Sequence, residues 1–341
     1  MNKRRVILAL AVGLAAGALA RADAIKKTDG QAQGNVVETS ALEVTVEQGG
    51  TRIKVPVNEI QTIRYSDEPS LLNTARTALD AGRNEDAVAT LEKVNAAEIQ
   101  RAEIKQDVLF YTALAKARIA LAGADQEAIK EAGRLMAAFV SSNPNSYHYF
   151  EACEVVGDAL VATGNYTAAQ DFFGRIAQAP WPEYQMRAGV SLGRALLAEG
   201  KTDEALKSFQ SALDTEVQGE SADRQRLAAT LGKAHCLAEA GGSDEAVKLV
   251  EDVIAKASPE DSQLHARAYD TLGMAHRKAG RAKDALLAFL HVDVLYFTSP
   301  KEHIEALENL VELFDEMQQP ERAEEATKIL QDRYKRSPRS N

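Results

Sequence analysis

The sequence predicts a mostly α-helical protein, a solenoid of about seven helical hairpins preceded by a small β-barrel-like module. The solenoid is predicted by a small residue and an alanine that recur twelve positions apart, and by a glycine seven residues after the small one. The β module is predicted by alternating apolar and polar residues before the repeats. The recurring pairs are Ala75/Ala87, Gly157/Ala169, Gly193/Ala205, Gly273/Ala285 and Val311/Ala323. Self-similarity at this scale indicates stacked units rather than one globular core.

The first 22 residues have the pattern of an export signal. A basic head at Lys3, Arg4 and Arg5 precedes fifteen apolar residues, and Ala20-Arg21-Ala22 is a small-x-small cleavage site. An uncleaved anchor is the alternative, but fifteen residues are fewer than the ~20 that span a bilayer. We therefore expect a protein without a membrane span after cleavage, secreted, periplasmic or otherwise outside the cytoplasm in the cell envelope.

Residues 25–66 read as a small β module. Strands are predicted at 32–38, 42–47, 51–55 and 61–65, with a hairpin turn at Gly49-Gly50 and a short helical turn at 57–60. In the second strand, Leu42, Val44 and Val46 are expected to point inward. This pattern resembles small five-stranded barrels of the Sm-like or SH3-like kind. The module either docks on the first hairpins and covers their exposed end, or serves as a separate interaction or self-association unit.

From residue 70 to 338, each unit reads as two helices joined by a tight turn. A Gly or Ala at the helix crossing allows close approach, and the glycine seven residues later provides a left-handed end to the first helix. A bulky residue four after the alanine fills the space between hairpins. The units are 36 to 42 residues long, and the extra residues are expected in longer helices or in loops. The second unit is the weakest match.

The pattern resembles the tetratricopeptide repeat family, here as an exported bacterial member. In that family the first helix of each unit lines a concave groove that holds a peptide or a protein. Carried onto this chain, the groove positions predict a basic ladder flanked by acidic residues: Arg187, Arg194, Arg226, Lys233, Arg267, Arg277 and Lys278. Arginine forks pair well with carboxylates, so an acidic partner is expected. The alternative is that these charges pair with neighbouring helices, with Asp270 among the available acids.

The chain has a formal net charge of −10, which falls to −14 when Lys3, Arg4, Arg5 and Arg21 are removed by cleavage. A chain this acidic lacks the net basic face that nucleic-acid binding requires. The two cysteines, Cys153 and Cys236, lie in different units and are expected to stay unpaired.

The sequence contains no catalytic, cofactor or metal-binding motif. His235 and His276 share one position in adjacent units, and we interpret them as packing residues. The helix from Asp284 to Phe297 is almost entirely apolar, which predicts a packed centre between units; an exposed patch for a partner is the alternative.

These observations favour a non-enzymatic scaffold or adaptor that binds a protein or peptide outside the cytoplasm. The alternative of another class is a structural envelope protein that associates with itself through the β module or a terminal hairpin. An enzyme is the least favoured hypothesis. The sequence leaves the partner and the oligomeric state open.

Overall fold

The computed structural model describes residues 22–334 and 336. The predicted export signal therefore lies outside the described residues, apart from Ala22, and so does part of the end of the predicted repeat domain. Within the described part of the chain, none of the helices has both the length and the apolar character needed to cross a bilayer.

The β module is a five-stranded antiparallel sheet with the strand order β4-β3-β2-β1-β5. Its strands are β1 (Asp23–Lys27), β2 (Gln31–Thr39), β3 (Glu43–Gln48), β4 (Thr51–Pro56) and β5 (Ile60–Arg64), with the predicted short helical turn at Val57–Glu59. Ile25, Val44, Val46 and Ile63 are fully buried in its core. Strand β1 was not predicted, because its only strongly apolar side chain is Ile25. In the region of β3, Val44 and Val46 are buried as predicted, but Leu42 is 45% exposed and Thr45 is buried.

Fourteen helices follow within residues 70–334 and form seven consecutive hairpins, as predicted. They are α1 (Ser70–Asp80), α2 (Asn84–Leu91), α3 (Ala102–Gly123), α4 (Gln126–Ser142), α5 (Tyr149–Ala162), α6 (Tyr166–Ala177), α7 (Pro182–Ala198), α8 (Thr202–Leu213), α9 (Glu220–Glu239), α10 (Ser243–Lys256), α11 (Ser262–Lys278), α12 (Ala282–Leu295), α13 (Pro300–Glu316) and α14 (Pro320–Tyr334). The extra length of the units lies partly in long first helices, since α3 has 22 residues and α9 has 20.

The predicted turn glycines end the first helix of their hairpins. Gly82, Gly164, Gly200 and Gly280 all have φ between +71° and +84°. Side chains with a Cβ are strained there, which explains why glycine recurs at this position. In the second hairpin, the weakest sequence match, Ala124 occupies the left-handed position with φ +53°.

The β module docks on the solenoid, as the first of the two sequence hypotheses proposed. Its apolar core is continuous with that of the first three hairpins. Arg101, just before α3, donates to both carboxylate oxygens of Asp23 at 3.0 and 2.8 Å. Asp23 also accepts backbone hydrogen bonds from Val36 and Ser66, both at 2.8 Å. A buried aspartate with four donors fixes the sheet to the start of the second unit.

A buried ion network joins the linker to the first three units. Arg76 of α1 donates to Glu68 at 2.8 Å and to Asp107 of α3 at 2.6 Å, and all three side chains are less than 10% exposed. His148 lies 3.2 Å from Asp107 and stacks on the ring of Phe110 with centroids 3.8 Å apart. Because these charges are paired out of water, they hold the units in one arrangement.

The prediction that the helix from Asp284 to Phe297 forms a packed centre is wrong for one side of that helix. Leu287, Val294 and Leu295 are 58%, 62% and 59% exposed, and Phe297, just after α12, is 40% exposed. The opposite side, including Phe289, is fully buried as expected. Composition alone shows that the helix is apolar all round, but not whether a neighbouring element covers each side.

Candidate functional site: the charged inner face of the solenoid

The predicted basic ladder lies on the first helices of three consecutive hairpins. Arg187 and Arg194 are on α7, Arg226 and Lys233 on α9, and Arg267, Arg277 and Lys278 on α11. Because α7 packs against α9, and α9 against α11, these side chains belong to one continuous surface. We call it the inner face.

Four of the five arginines of the inner face contact an acidic side chain from a neighbouring unit, Arg277 among them. Arg187 Nε lies 3.5 Å from a carboxylate oxygen of Glu154, Arg194 Nη2 lies 3.7 Å from Asp158, and Arg267 Nε lies 3.1 Å from Glu302. Their side chains keep 25%, 33% and 25% of their surface exposed. The sequence located these residues but could not decide between pairing and binding. The structure shows that they are paired and still accessible.

Arg226 interrupts the predicted row of arginines. Its guanidinium donates to the backbone oxygen of Val217, in the loop before α9, and to Asp223 at 2.8 Å. Lys233, two helical turns after Arg226 on α9, donates to the side-chain oxygen of Gln210 at 3.1 Å. The fifth unit therefore directs its cations toward its own hairpin and the preceding one, away from the row formed by the fourth and sixth units.

Beyond Arg267, the two cations at the end of α11 connect different neighbours. Arg277 donates to Asn309 at 2.6 Å and to Glu312 of α13. Lys278 donates in the other direction, to Glu239 of α9 at 2.8 Å. These contacts join three consecutive first helices, so this end of the ladder stabilises the stacking of the units.

Arg194 stands in an unfavourable positive environment. Its pKa is lowered, first by the like charge of Arg267 and then by burial, although Asp158 and Glu302 act in the opposite direction. The surroundings of Arg194 therefore contain both positive and negative side chains from other units, with the positive charge of Arg267 as the strongest influence on its pKa.

The guanidinium of Arg187 is held in place by its surroundings. Its carbon lies 4.4 Å from the centroid of the Tyr184 ring. Burial lowers the pKa of Arg187, but Glu154, Tyr184 and Glu151 together outweigh burial and raise that pKa. Because the Nε and Nη2 atoms are buried, only the remaining, exposed part of the side chain can contact a partner.

Asp270 does not serve as the expected partner for the basic ladder. It is 8% exposed, and its Oδ1 atom makes no hydrogen bond within the described part of the structure. Burial and the nearby carboxylates Glu305 and Glu302 raise the pKa of Asp270 well above its usual value. That shift favours the protonated acid, which does not neutralise an arginine. The sequence could not reveal this, because Glu302 and Glu305 come from the next unit.

The inner face is closed at one end by contact between distant units. Helix α13 of the seventh hairpin contacts α3 of the second. Ala124, at the end of α3, packs against the apolar cluster of the last two hairpins, which includes Leu307 and Phe314. The repeats thus curve until the last unit contacts the second, and the first helices in between surround the charged side chains.

The two cysteines are unpaired and buried, as predicted. His235 and His276 also fit the packing interpretation, because burial lowers the pKa of His235 to about 4 and also lowers that of His276. In residues 22–334 and 336, no three His, Cys, Asp or Glu side chains are arranged to hold a metal ion. The charged inner face is therefore the main candidate site in the described structure.

Comparison with known proteins supports this architecture. Two family models, both described as tetratricopeptide repeat, match residues 154–220 and 196–269. A tetratricopeptide repeat protein from Parabacteroides merdae has the same fold, with a TM-score of 0.54 and 16% identity over 77% of this chain and 92% of its own. PilF from Pseudomonas aeruginosa aligns with a TM-score of 0.42 and 17% identity over 69% of this chain and 96% of its own. No curated protein matches the sequence.

The class of protein follows from the fold: this is an α-solenoid of paired helices with a β module at its beginning. The sequence pattern of tetratricopeptide repeats is recognised over residues 154–269, and helical hairpins continue on both sides of that range. This fold indicates a scaffold for protein–protein interaction.

Proposed function

We propose that this protein is a non-enzymatic scaffold that acts outside the cytoplasm and holds an acidic segment of a partner protein on its inner face. The observation that carries this proposal is that Arg187, Arg194 and Arg267 lie on neighbouring first helices and keep 25%, 33% and 25% of their side-chain surface exposed, although each contacts an acidic side chain. Exposed guanidinium groups can form charge-assisted hydrogen bonds with the carboxylates of a partner.

The neighbouring arginine extends the site. Arg187 lies on the same helix as Arg194, two turns earlier, and its side chain is 25% exposed. Arginine donates in a planar fork that matches the two oxygens of a carboxylate. Two or three acidic groups spaced along an extended or helical segment could therefore be bound together, each by charge-assisted hydrogen bonds.

The basic head, apolar stretch and small-x-small site of residues 2–22 support export. A fusion of residues 1–24 to a reporter enzyme that becomes active only after export tests this part separately. Active reporter is the expected result. An inactive reporter retained inside the cell would contradict export, but it would not contradict binding of a partner at the inner face.

Binding of a partner protein at the inner face is tested by affinity capture from a native cell-envelope extract, with quantified recovery of the captured proteins. The double variant Arg194→Gln and Arg267→Gln is compared with Arg226→Gln, a matched control whose guanidinium contacts its own hairpin and the preceding loop. We expect the double variant to lose its partners and the control to keep them. If the double variant folds, as judged by circular dichroism, and recovers the same proteins as the unmodified chain, the inner face is not the binding site.

Self-association is the second candidate function, and the exposed edge of the β module favours it. Strand β4 pairs only with β3 in the described structure, and Ile53 on this edge strand is 40% exposed. Such an edge can pair with a strand of another chain. Sedimentation over a range of concentrations separates the two functions, because self-association produces oligomers without an added partner.

A further inference from the structure

An exposed apolar surface lies at the end of α12, on the sixth hairpin. It consists of Leu287, Val294, Leu295 and Phe297, and we call it the α12 patch. These four side chains are between 40% and 62% exposed. They are half of the eight large apolar side chains that are strongly exposed among the described residues, and they fall within eleven positions of the sequence. Apolar exposure concentrated in this way usually marks a surface that another molecule covers.

The side of the patch nearest α14 is basic. Arg333, in the last turn of α14, lies over the ring of Phe297 with its guanidinium carbon 5.1 Å from the centroid, and it donates to the Phe297 backbone oxygen at 3.1 Å. Arg336 is exposed immediately beyond. Residues 333–339 contain four Arg or Lys residues and no Asp or Glu, in a chain whose net charge is −10.

The acidic residue closest in sequence to the patch is directed away from it. Asp293 precedes Val294, but its carboxylate lies 2.9 Å from Nε2 of His303, whose side chain is 2% exposed. Its charge is therefore directed into the last hairpin. Arg333 thus adjoins the exposed apolar side chains through its contact with Phe297, and Arg336 follows it in the sequence.

We propose that the α12 patch is a docking surface for an anionic lipid membrane. Apolar side chains beside a basic cluster are the combination that binds such surfaces, since the apolar groups enter the boundary of the headgroups and the cations attract the lipid phosphates. Docking here would leave the charged inner face free for a partner protein.

The test measures sedimentation with lipid vesicles. The protein begins at Ala22, which keeps every described residue and removes the apolar stretch that would bind lipid by itself. Vesicles of phosphatidylcholine containing phosphatidylglycerol are compared with vesicles of phosphatidylcholine alone, at low and at physiological ionic strength. We expect binding to the anionic vesicles, weaker binding as salt rises, and little binding to the neutral ones.

Three variants show whether the patch is responsible. The triple variant Val294→Ser, Leu295→Ser and Phe297→Ser should bind anionic vesicles at least about tenfold more weakly than the unmodified chain does. Replacing Arg333 and Arg336 by glutamine should weaken binding by about tenfold or more, because each cation contributes ~1 kcal/mol near an anionic surface. Leu109→Ser is the matched control, since Leu109 is 58% exposed but lies on α3; it should bind as the unmodified chain does.

Insertion can be followed directly with a fluorescent probe. Because both native thiols are buried, a cysteine introduced as Leu295→Cys can be labelled selectively with a polarity-sensitive dye. Its emission should shift to the blue when anionic vesicles are added. The proposal is overturned by absence of binding at low ionic strength, by equal binding to neutral vesicles, or by a loss in Leu109→Ser equal to that in the patch variants. It is also overturned if the unmodified protein is an oligomer without lipid and the serine variant is a monomer, since a second copy would then cover the patch.

Discussion

The ring of Phe209 is enclosed by glycines from two different repeats. It lies on α8, is fully buried, and contacts Gly193 of its own hairpin and Gly232 of the next one. A Cβ added at Gly232 would lie 2.3 Å from two ring atoms, and one added at Gly193 would lie 2.6 Å from the nearest ring atom. Real Cβ atoms do not approach other atoms so closely, so either the ring or the helix would have to move.

We predict that Gly232→Ala destabilises the protein by about 1–2 kcal/mol. An added methyl group in a packed core costs ~1–3 kcal/mol, and the short distance and complete burial of the ring place this case in the upper part of that range. Against this, alanine stabilises a helix interior by ~1 kcal/mol relative to glycine. Steric overlap exceeds helix propensity, so the net effect is a loss of stability.

Gly174 of α6 provides the matched control. It also lies within a helix, but a Cβ at this position would meet no other atom within 4 Å. Gly174→Ala should therefore gain stability by up to ~1 kcal/mol from helix propensity alone. Urea denaturation followed by far-ultraviolet circular dichroism measures both variants under identical conditions.

A second substitution tests whether the Phe209 ring causes the loss of stability in Gly232→Ala. Phe209→Leu shortens the side chain that the new methyl group would strike, so Gly232→Ala should be less harmful in the Phe209→Leu background than in the native one. The double-mutant cycle isolates this coupling from the cavity that leucine itself leaves. If Gly232→Ala is as stable as the native protein, or changes stability by the same amount in both backgrounds, the explanation for the recurring glycines is wrong.

Three further predictions concern buried groups. Replacing Arg76 by methionine should cost ~3–5 kcal/mol in urea unfolding, because it leaves two buried carboxylates without their cation. Burial lowers the pKa of His148, but the hydrogen bonds and charges of Asp107 and Glu151 together outweigh burial and raise that pKa above 6.5. Its contribution to stability is therefore complete below pH 6.5 and is lost as the pH rises through the folded-state pKa; urea midpoints across this range should show the loss in the native protein and not in His148→Asn. Burial raises the pKa of both Cys153 and Cys236 to about 11, so a colourimetric thiol reagent should react with neither until denaturant is added.

The repeat architecture was predictable because its physical cause is local. A close helix crossing requires a small residue, and a left-handed turn favours glycine. Both requirements therefore recur in the sequence at a fixed spacing. Where other residue types occupy these positions, the sequence pattern is weaker. In the second unit, Ala124 takes the left-handed position in place of glycine. Strand β1 was missed for a similar reason, since five residues with one strongly apolar side chain carry too little pattern to identify a strand.

The inner face was predictable in its residues but not in its contacts. Position within the repeat placed Arg194 and Arg267 on the same surface. Their contacts with Asp158 and Glu302 depend on how neighbouring units pack, and no local pattern encodes that packing. The same limit applies to α12, where composition identified an apolar helix, but only the positions of its neighbours determine that Leu287 and Leu295 remain exposed.

The difference between buried and partly exposed arginines determines whether the inner face can bind a partner. The side chain of Arg76 is 6% exposed, and breaking its ion pairs would leave buried charges uncompensated. Arg187 and Glu154 are each 25% exposed, and partly solvated ion pairs contribute only ~0–1 kcal/mol. A partner carboxylate can therefore replace Glu154 at little cost, since the displaced acid returns to water, whereas the side chain of Glu302 is only 9% exposed and keeps its ion pair with Arg267. Intramolecular pairing of the inner face is thus compatible with binding, because it keeps the guanidinium groups oriented and remains weak enough to exchange.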